Sequence, residues 1–166
     1  MVALIVARSR NNVIGKGGRI PWHIKGEQKQ FRELTTGHCV VMGRRSYQEI
    51  GHPLPNRRNI IVSRTETFEG ENLATAHSLA EALQMAGKDD VYISGGYGLF
   101  KEAIPLVDVM YITEVDTVVE DGDTFFPDFP AEDFEVTEGE SGGDEIRYTR
   151  MTYRRKKGGS HEGISR

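Results

Sequence analysis

Short apolar runs alternate along this chain with stretches of helical periodicity. The runs at residues 2–7, 39–42, 59–62, 90–94 and 109–115 are nearly continuous, which is typical of strands buried on both faces. A weaker strand is predicted near 72–76. Between the strands, helices are predicted at about 25–35, from about 43 to 50, at 78–86 with Ser78 as N-cap, and from about 98 to 105.

After residue 115 the pattern changes to that of a hairpin. Residues 134–137 alternate between apolar and polar, residues 146–153 do so more loosely, and a Gly-, Ser- and Asp-rich turn is predicted at 139–144. The sequence therefore predicts a single-domain α/β fold. Its mostly parallel central sheet has about eight strands, with a C-terminal antiparallel hairpin and about four flanking helices. The domain is expected to span residues 1–155, and residues 156–166 to form a polar tail, disordered or left over from cloning.

The composition is that of one ordinary globular domain. The 166 residues are 37% hydrophobic and 28% charged, enough for a sizeable core. The single cysteine, Cys39, lies in an apolar run, which favours a buried thiol in a reducing compartment over a nucleophile. The first apolar run is too short for a membrane span and lacks the basic start of a signal peptide. A cytoplasmic location without membrane contact is expected.

The net charge of −4 conceals a division between the two parts of the chain. Residues 1–64 carry twelve Lys and Arg against three Asp and Glu, whereas residues 65–166 carry nine against twenty-two. A nucleic-acid binder would more often be basic overall. The basic first part instead favours a small polyanion, the alternative being a solvated charged face.

Three predicted strand ends carry groups suited to phosphate: Gly-Arg-Arg at 43–45, Ser-Arg at 63–64 and Gly-Gly-Tyr-Gly at 95–98. Ligands of open α/β sheets gather at the carboxyl ends of the strands. Three such ends in one domain indicate a dinucleotide with an additional phosphate, hence NADP rather than NAD. The Gly-Gly-Tyr-Gly spacing is not the Rossmann fingerprint, no P-loop occurs, and the five histidines lack the spacing of metal ligands. No metal is expected.

One acid stands on the apolar face of the first predicted helix. Glu27, Phe31 and Leu34 are spaced i, i+4 and i+7, so they share that face. Glu27 is either a first-turn acid that interacts with the helix dipole or a buried acid of a ligand site. Local sequence favours the first interpretation, and the rest of the chain must decide.

Eight segments, in order, resemble those of the dihydrofolate reductase family. They are Val13-Ile14-Gly15, Ile20-Pro21-Trp22, Glu27 with Phe31, Val41-Met42-Gly43-Arg44, Pro53-Leu54-Pro55-Asn56-Arg57, Ile61-Val62-Ser63-Arg64, Gly95-Gly96 and Gly122-Asp123-Thr124-Phe125-Phe126-Pro127. The resemblance runs from residue 1 to about 153. It implies NADPH-dependent reduction of 7,8-dihydrofolate to 5,6,7,8-tetrahydrofolate, by hydride transfer to pterin C6 with protonation of N5. It also implies a cytoplasmic monomer that binds antifolate inhibitors.

The resemblance assigns roles to individual residues. Glu27 matches the key acid that pairs with the pterin, Thr113 the threonine that supports it, and Arg57 the arginine that binds the α-carboxylate of the glutamate tail. Ile20 and Trp22, expected with Glu27 and Thr113 to be catalytic residues, belong to the mobile loop at 11–23 that closes over the nicotinamide. The remaining substrate contacts are Ile5, Phe31, Ile50 and Leu54. The cofactor contacts are Ala7, Ile14, Gly15, Gly43, Arg44, Arg45, Ser46, Ser63, Arg64, Gly95, Gly96, Tyr97, Gly98 and Leu99. The family has a cis peptide bond between its paired glycines.

Three positions depart from the pattern of many bacterial relatives, which carry Asp at Glu27, an apolar residue at Ser94 and Tyr at Phe100. Together with the segment Lys-Gly-Glu-Gln at 25–28, they resemble the acquired, trimethoprim-insensitive branch, so resistance to trimethoprim is predicted. Two alternatives remain open. One is an NADPH-dependent reductase of the riboflavin pathway, which would not need both Glu27 and Arg57. The other is a non-catalytic NADP-binding or nucleic-acid-binding module, which leaves Glu27 unexplained.

Overall fold

The computed structural model describes residues 1–17, 20–24, 26 and 28–157. The strands of this part are β1 (Val2–Ser9), β2 (Val13–Gly15), β3 (Cys39–Gly43), β4 (Arg58–Val62), β5 (Leu73–Ala76), β6 (Val91–Ile93), β7 (Val109–Val115), β8 (Thr124–Phe125), β9 (Phe134–Gly143) and β10 (Arg147–Arg155). The α-helices are α1 (Lys29–Thr35), α2 (Arg44–Ile50), α3 (Leu79–Ala86) and α4 (Tyr97–Ala103). A short 3-10 turn covers Ala131–Asp133.

Eight strands form one sheet in the order β5-β4-β3-β6-β1-β7-β10-β9. The six strands from β5 to β7 are parallel, and the hairpin β9–β10 adds two antiparallel strands at one edge. The short strands β2 and β8 pair separately. The predicted α/β class, with its mostly parallel sheet, C-terminal hairpin and four helices, is therefore confirmed.

The central strands are buried on both faces. Along β3, Cys39 and Val41 belong to the large cluster that also contains residues of α3 and α4, whereas Val40 and Met42 pack with Phe31 of α1. All four β3 side chains are fully buried. Because successive side chains of a strand point to opposite faces, covering both faces requires the continuous apolar run seen in the sequence.

Cys39 lies in this core as a free thiol, as the sequence predicted. Burial raises the pKa of the Cys39 thiol to about 11, with Arg58 opposing and Asp89 adding to the shift. At neutral pH the thiol is therefore protonated, which makes it a poor nucleophile.

Two predicted boundaries are wrong, and glycines explain both. The first helix begins at Lys29 rather than near 25, since Gly26 has a φ of +85°, which a right-handed helix cannot accommodate. The predicted turn at 139–144 is mostly strand, because β9 continues to Gly143. A Cβ on Gly142 would lie 2.5 Å from the Tyr148 hydroxyl, so this glycine marks close packing against β10 rather than a turn.

The last residues of the predicted tail, 158–166, lie outside the described residues, so the domain boundary at 155 stays a prediction. Within the described ranges, no helix is long and apolar enough to cross a membrane.

Candidate active site

The loops after β3 and β6 meet at one edge of the sheet. Since these strands are parallel neighbours, their carboxyl ends lie side by side. The backbone N–H of Gly43 donates to the Gly95 carbonyl at 2.8 Å, and that of Ser94 donates to the Val41 carbonyl at 3.0 Å. The peptide between Gly95 and Gly96 is cis, which confirms the expectation drawn from the sequence resemblance.

The backbone at this edge leaves little room for side chains at its glycines. Gly95 has a φ of +140°, and a Cβ there would lie 3.2 Å from the Ser46 hydroxyl of α2. A Cβ on Gly43 would lie 3.6 Å from the Gly95 carbonyl oxygen. Four predicted cofactor residues, Gly43, Ser46, Gly95 and Gly96, are thus brought together around the starts of α2 and α4.

The start of α4 has one exposed and one buried side. Tyr97 is 46% exposed and Gly98 is also exposed, with open space where a Cβ would stand. Leu99 is buried in the main core, so its side chain anchors the helix. Helix N-termini carry backbone N–H groups that have no intrahelical acceptor, and these suit phosphate.

The end of β4 supplies the third predicted phosphate-binding segment. Ser63 is buried, and its hydroxyl oxygen accepts hydrogen bonds from the backbone N–H groups of Glu66 at 3.0 Å and Thr65 at 3.4 Å. The hydroxyl proton of Ser63 is therefore available to an anion. Arg44 donates to the Glu66 carboxylate at 2.9 Å, whereas Arg64 is exposed. An anion at this edge would therefore compete with Glu66 for Arg44. Arg45 is exposed on α2.

The predicted substrate contacts lie on the face of the sheet covered by α1. Phe31 packs against Ile5 of β1 in one cluster, and against Met42 together with Leu54 in another. The side chain of Ile50, at the end of α2, is 37% exposed. The result is an apolar wall that runs from β1 across α1 to the loop before β4.

Thr113 and Ala7 lie beside this wall, in register on the neighbouring strands β7 and β1. Thr113 is 4% exposed, and Ala7 packs against a cluster formed by Ile24, Val115 and Tyr148.

Arg57 places a buried positive charge next to this apolar wall. The residue is 8% exposed; its Nε donates to the Pro55 carbonyl at 2.9 Å and its Nη1 to the Thr35 hydroxyl at 3.1 Å. Its Cζ lies 5.9 Å from the centre of the Phe31 ring. Burial, with a smaller contribution from Arg32, lowers the pKa of Arg57. No carboxylate of the described residues forms an ion pair with it, so the geometry provides a ready site for an anion.

Comparisons with known proteins agree with this geometry. The family model for dihydrofolate reductase matches residues 1–155. The chain belongs to the dihydrofolate reductase family. A dihydrofolate reductase of Staphylococcus aureus (strain Mu50 / ATCC 700699) is 40% identical over 141 residues, covering 85% of this chain and 87% of the relative. A dihydrofolate reductase type 3 of Salmonella typhimurium is 42% identical over 130 residues, covering 78% and 80%.

A solved structure is also similar. It is the dihydrofolate reductase of Enterococcus faecalis in complex with NADP(H) and a compound named RAB-propyl, with a TM-score of 0.84 and 35% identity over 94% of this chain and 96% of that one. The predicted family, enzyme class and NADPH cofactor are thereby confirmed. Each relative is named a dihydrofolate reductase, which favours this enzyme over the two alternatives left open by the sequence.

The loop that the family resemblance places over the nicotinamide is anchored by β8. Ile14 and Gly15 lie on β2, which pairs with β8, and the Gly17 N–H donates to the Asp123 carboxylate at 2.7 Å. This amide, followed by the Thr124 hydroxyl, lowers the pKa of Asp123. A Cβ on Gly122 would lie 2.5 Å from Val13, so a larger residue there would push the loop away.

The two predicted loop residues near the substrate differ in exposure. Ile20 is 53% exposed, whereas Trp22 packs against the cluster formed by Ile24, Val115 and Tyr148. The indole nitrogen of Trp22 is buried and has no hydrogen-bond partner in the part of the chain that the structure describes. An N–H donor in this position is available to a ligand or a water molecule. No group of three or more His, Cys, Asp or Glu suited to a metal ion occurs among the described residues.

Glu27 lies outside the described residues, but its neighbour Gly26 is described. The Gly26 carbonyl accepts hydrogen bonds from Arg150 at 2.9 Å and Tyr148 at 3.4 Å, both on β10. Neither residue was predicted from the sequence to belong to the site. The available signal was an arginine within the loosely alternating pattern of β10.

Asn59 is a further residue beside the site that was not predicted from the sequence. It is fully buried, and its side-chain oxygen accepts the Leu54 N–H at 2.9 Å. Its amide nitrogen lies 3.0 Å from the carbonyl oxygens of both Leu54 and Arg57, and 3.2 Å from that of Asn72. One buried amide therefore ties the loop that carries two predicted substrate contacts to β4.

Proposed function

We propose that this chain reduces 7,8-dihydrofolate to tetrahydrofolate with Glu27 as the key acid and Arg57 as the anchor for the glutamate tail. The observation that carries the proposal is the buried Arg57, whose guanidinium lies beside the Phe31 ring. A buried cation is costly unless an anion pairs with it, and a carboxylate can accept two parallel N–H donors from one guanidinium. An aromatic ligand with a carboxylate tail fits a wall that is apolar at Ile5 and cationic at Arg57.

NADPH, when bound, supplies the hydride that reduces C6. The residues of this chain would hold the cofactor along the three strand ends. Gly43 and Gly96 would let the backbone approach the pyrophosphate, and Ser46 and Ala7 would contact the nicotinamide. The 2′-phosphate would be bound by the hydroxyl group of Ser63 and by the guanidinium groups of Arg44 and Arg64. Holding hydride donor and acceptor in contact is the protein's main contribution to the rate.

Reduction also requires a proton at N5, which we assign to Glu27, directly or through water. Apolar surroundings favour the protonated form of a carboxyl group, so a Glu27 placed against the apolar substrate wall would keep a proton to donate. Thr113, buried on β7, would support the acid by its hydroxyl group. The loop at 11–23, with Ile20 and Trp22, would exclude bulk water when it closes.

The test is turnover of Glu27→Gln, measured as dihydrofolate-dependent oxidation of NADPH over a range of pH. The amide keeps the size of the side chain but has no acidic proton, so most turnover near neutral pH should be lost while NADPH still binds. Wild-type turnover of this variant across the pH range would contradict the proposed role of Glu27.

We further propose that trimethoprim inhibits this enzyme weakly. Phe100 is 2% exposed, packs edge-to-face against Phe126 and lies 3.8 Å from a Cβ built on Gly95, so the aromatic ring lies directly under the glycine pair without a phenol group. Ser94 adds a hydroxyl to the same edge. The inhibition constants of the wild type and of Phe100→Tyr test this, the tyrosine being expected to increase sensitivity. Wild-type inhibition as tight as in sensitive bacterial enzymes would refute it.

We also propose a cytoplasmic monomer that binds small molecules and neither nucleic acid nor membranes. The edge strand β9 carries Glu135, Glu138 and Glu140, and acidic side chains on an edge discourage pairing with a second sheet. Sedimentation should therefore give the mass of one chain, about 18.6 kDa, and a stable dimer would contradict this assignment.

A further inference from the structure

The C-terminal hairpin contains an irregularity at Arg150, whose side chain donates to the Gly26 carbonyl. The pairing of β10 with β9 shifts register between Thr149 and Met151, so that Arg150 faces two residues, Gly139 and Glu140. This two-against-one arrangement is a β-bulge, and bulges next to active sites re-aim a side chain. A Cβ on Gly139 would lie 3.2 Å from the Arg150 carbonyl oxygen, which favours glycine at this position.

The Arg150 side chain is 9% exposed and joins three parts of the molecule. Its Nη1 donates to the Glu140 carboxylate at the bulge, and its Nη2 donates to the Gly26 carbonyl at 2.9 Å. Its Cζ lies 5.1 Å from the centre of the Tyr148 ring, whose hydroxyl group also donates to Gly26. The guanidinium is thus oriented by Glu140 and Tyr148 towards one backbone carbonyl.

Gly26 is the residue through which this contact would act. Its φ of +85° turns the chain just before α1, and its carbonyl also accepts the Lys29 N–H at 3.3 Å, at the first residue of the helix. The Gly26 carbonyl therefore receives donors from α1 and from β10, which is more than 120 residues away in the sequence. Glu27 is the next residue in the chain.

We propose that Arg150 is a positioning residue for dihydrofolate reduction, which holds the Gly26 peptide and thereby sets the place of Glu27. This inference rests on the proposed role of Glu27 as the acid. Hydrogen bonds from a charged donor are about twice as strong as neutral ones, and a misplacement of about 1 Å in a reacting group can lower the rate about a hundredfold.

The same strand offers a matched control. Arg155 donates to the Val107 carbonyl at 2.9 Å and to the Ile104 carbonyl at 2.6 Å, with its Cζ 4.7 Å from the centre of the Phe134 ring. It resembles Arg150 in its bonds to backbone carbonyls and in its aromatic contact. Its acceptors, however, lie in the chain after α4 rather than before α1. Loss of Arg155 should weaken the fold without moving the acid.

The experiment compares Arg150→Met, Arg150→Lys and Arg155→Met at a temperature at which all three are folded. Arg150→Met should lower kcat/KM for dihydrofolate about ten- to a hundredfold while the KM for NADPH stays within about twofold of the wild type. Arg150→Lys should recover part of the loss, since an ammonium group can still donate to the Gly26 carbonyl or to Glu140. Arg155→Met should keep the wild-type kcat/KM. Equal values for Arg150→Met and Arg155→Met would overturn the inference.

A double-mutant cycle with Glu27→Gln tests whether Arg150 acts through the acid. If it does, Arg150→Met in the Glu27→Gln background should cost little beyond the loss of Glu27→Gln alone. Losses that multiply would overturn the inference. If Glu27→Gln is impaired but Arg150→Met is not, only the inference about Arg150 fails. If Glu27→Gln turns over like the wild type, the proposed role of Glu27 itself fails, and positioning by Arg150 fails with it.

Discussion

Replacing Asn59 by alanine should weaken both the fold and the binding of dihydrofolate. The side chain is fully buried and joins the loop that ends at Arg57 to β4. Its amide has two N–H donors and one principal acceptor, which serve the Leu54 N–H, the Leu54 carbonyl and the Arg57 carbonyl. The Asn72 carbonyl has a second donor in the Asn59 backbone N–H at 2.8 Å, so it keeps a partner in the variant.

The structure sets the size of the effect. Each intramolecular hydrogen bond contributes about 0.5–1.5 kcal/mol net, so three lost bonds lower the free energy of unfolding by about 1.5–4.5 kcal/mol. This is a large fraction of the roughly 5–15 kcal/mol that stabilises a typical domain. Since the freed loop carries Leu54 and Arg57, the KM for dihydrofolate should rise in the folded variant. The KM for NADPH should stay unchanged.

Urea unfolding measures the free energy of unfolding. Steady-state kinetics at low temperature measures the KM for dihydrofolate. Asn11→Ala is the matched control, because the Asn11 amide also bridges to a distant backbone, donating to the Val119 carbonyl at 2.9 Å and accepting its N–H at 3.1 Å. Asn11 is exposed, so water can replace these bonds and the cost should be smaller. A urea midpoint of Asn59→Ala equal to that of Asn11→Ala would refute the reasoning.

Three further predictions concern charge. Arg57→Lys should raise the KM for dihydrofolate about tenfold or more without changing that for NADPH, since a lysine cannot bind a carboxylate through two parallel donors; equal changes in both KM values would contradict this. Because the pKa of Asp123 is lowered, its carboxylate form is favoured in the folded protein, and its hydrogen bond to Gly17 should persist at neutral pH. The bond should weaken as the pH falls below about 4 and the carboxylate becomes protonated. Asp123→Ala should therefore raise the KM for NADPH at neutral pH, and an unchanged value would argue against a closing role of the loop. Because burial raises the pKa of Cys39, the free energy of unfolding should decrease as the pH rises from about 9 to about 11, where the unfolded thiol ionises and the folded one does not. Unfolding measured across this range should show a shallower decrease for Cys39→Ala, and identical slopes would refute the assignment.

The central strands were predictable because strands buried on both faces consist of consecutive apolar residues. A strand covered on both faces must be apolar at every position, as Cys39 to Met42 are. Two boundary predictions were wrong because a glycine can serve either of two structural roles. At Gly26 it permits a left-handed backbone, whereas at Gly142 it makes room for the Tyr148 hydroxyl. Only the packed structure distinguishes the two.

The candidate site was predictable where parallel strands end. Parallel topology places the residues after β3, β4 and β6 at one edge, so Gly43, Ser63 and Gly95 could be grouped without any knowledge of contacts. Asn59 and Arg150 could not be found in this way. Their partners are selected by how a loop or a distant strand folds back, in the case of Arg150 across most of the chain. Local sequence periodicity does not predict contacts between residues so far apart in the chain.

The register of β1 explains why the two ligands would meet beside it. β6 pairs with β1 only from Val2 to Leu4 and then leaves the sheet towards Gly95, whereas β7 pairs with β1 as far as Ser9. The second half of β1 therefore pairs with β7 on one side, and no strand of the described residues pairs with it on the side that β6 has left. Ile5 and Ala7 lie in this half of β1, one predicted to contact the substrate and the other the nicotinamide. A cofactor entering across the glycine pair and a substrate lying against α1 would then approach each other at the point where two parallel strands separate, which is where ligands of α/β sheets bind.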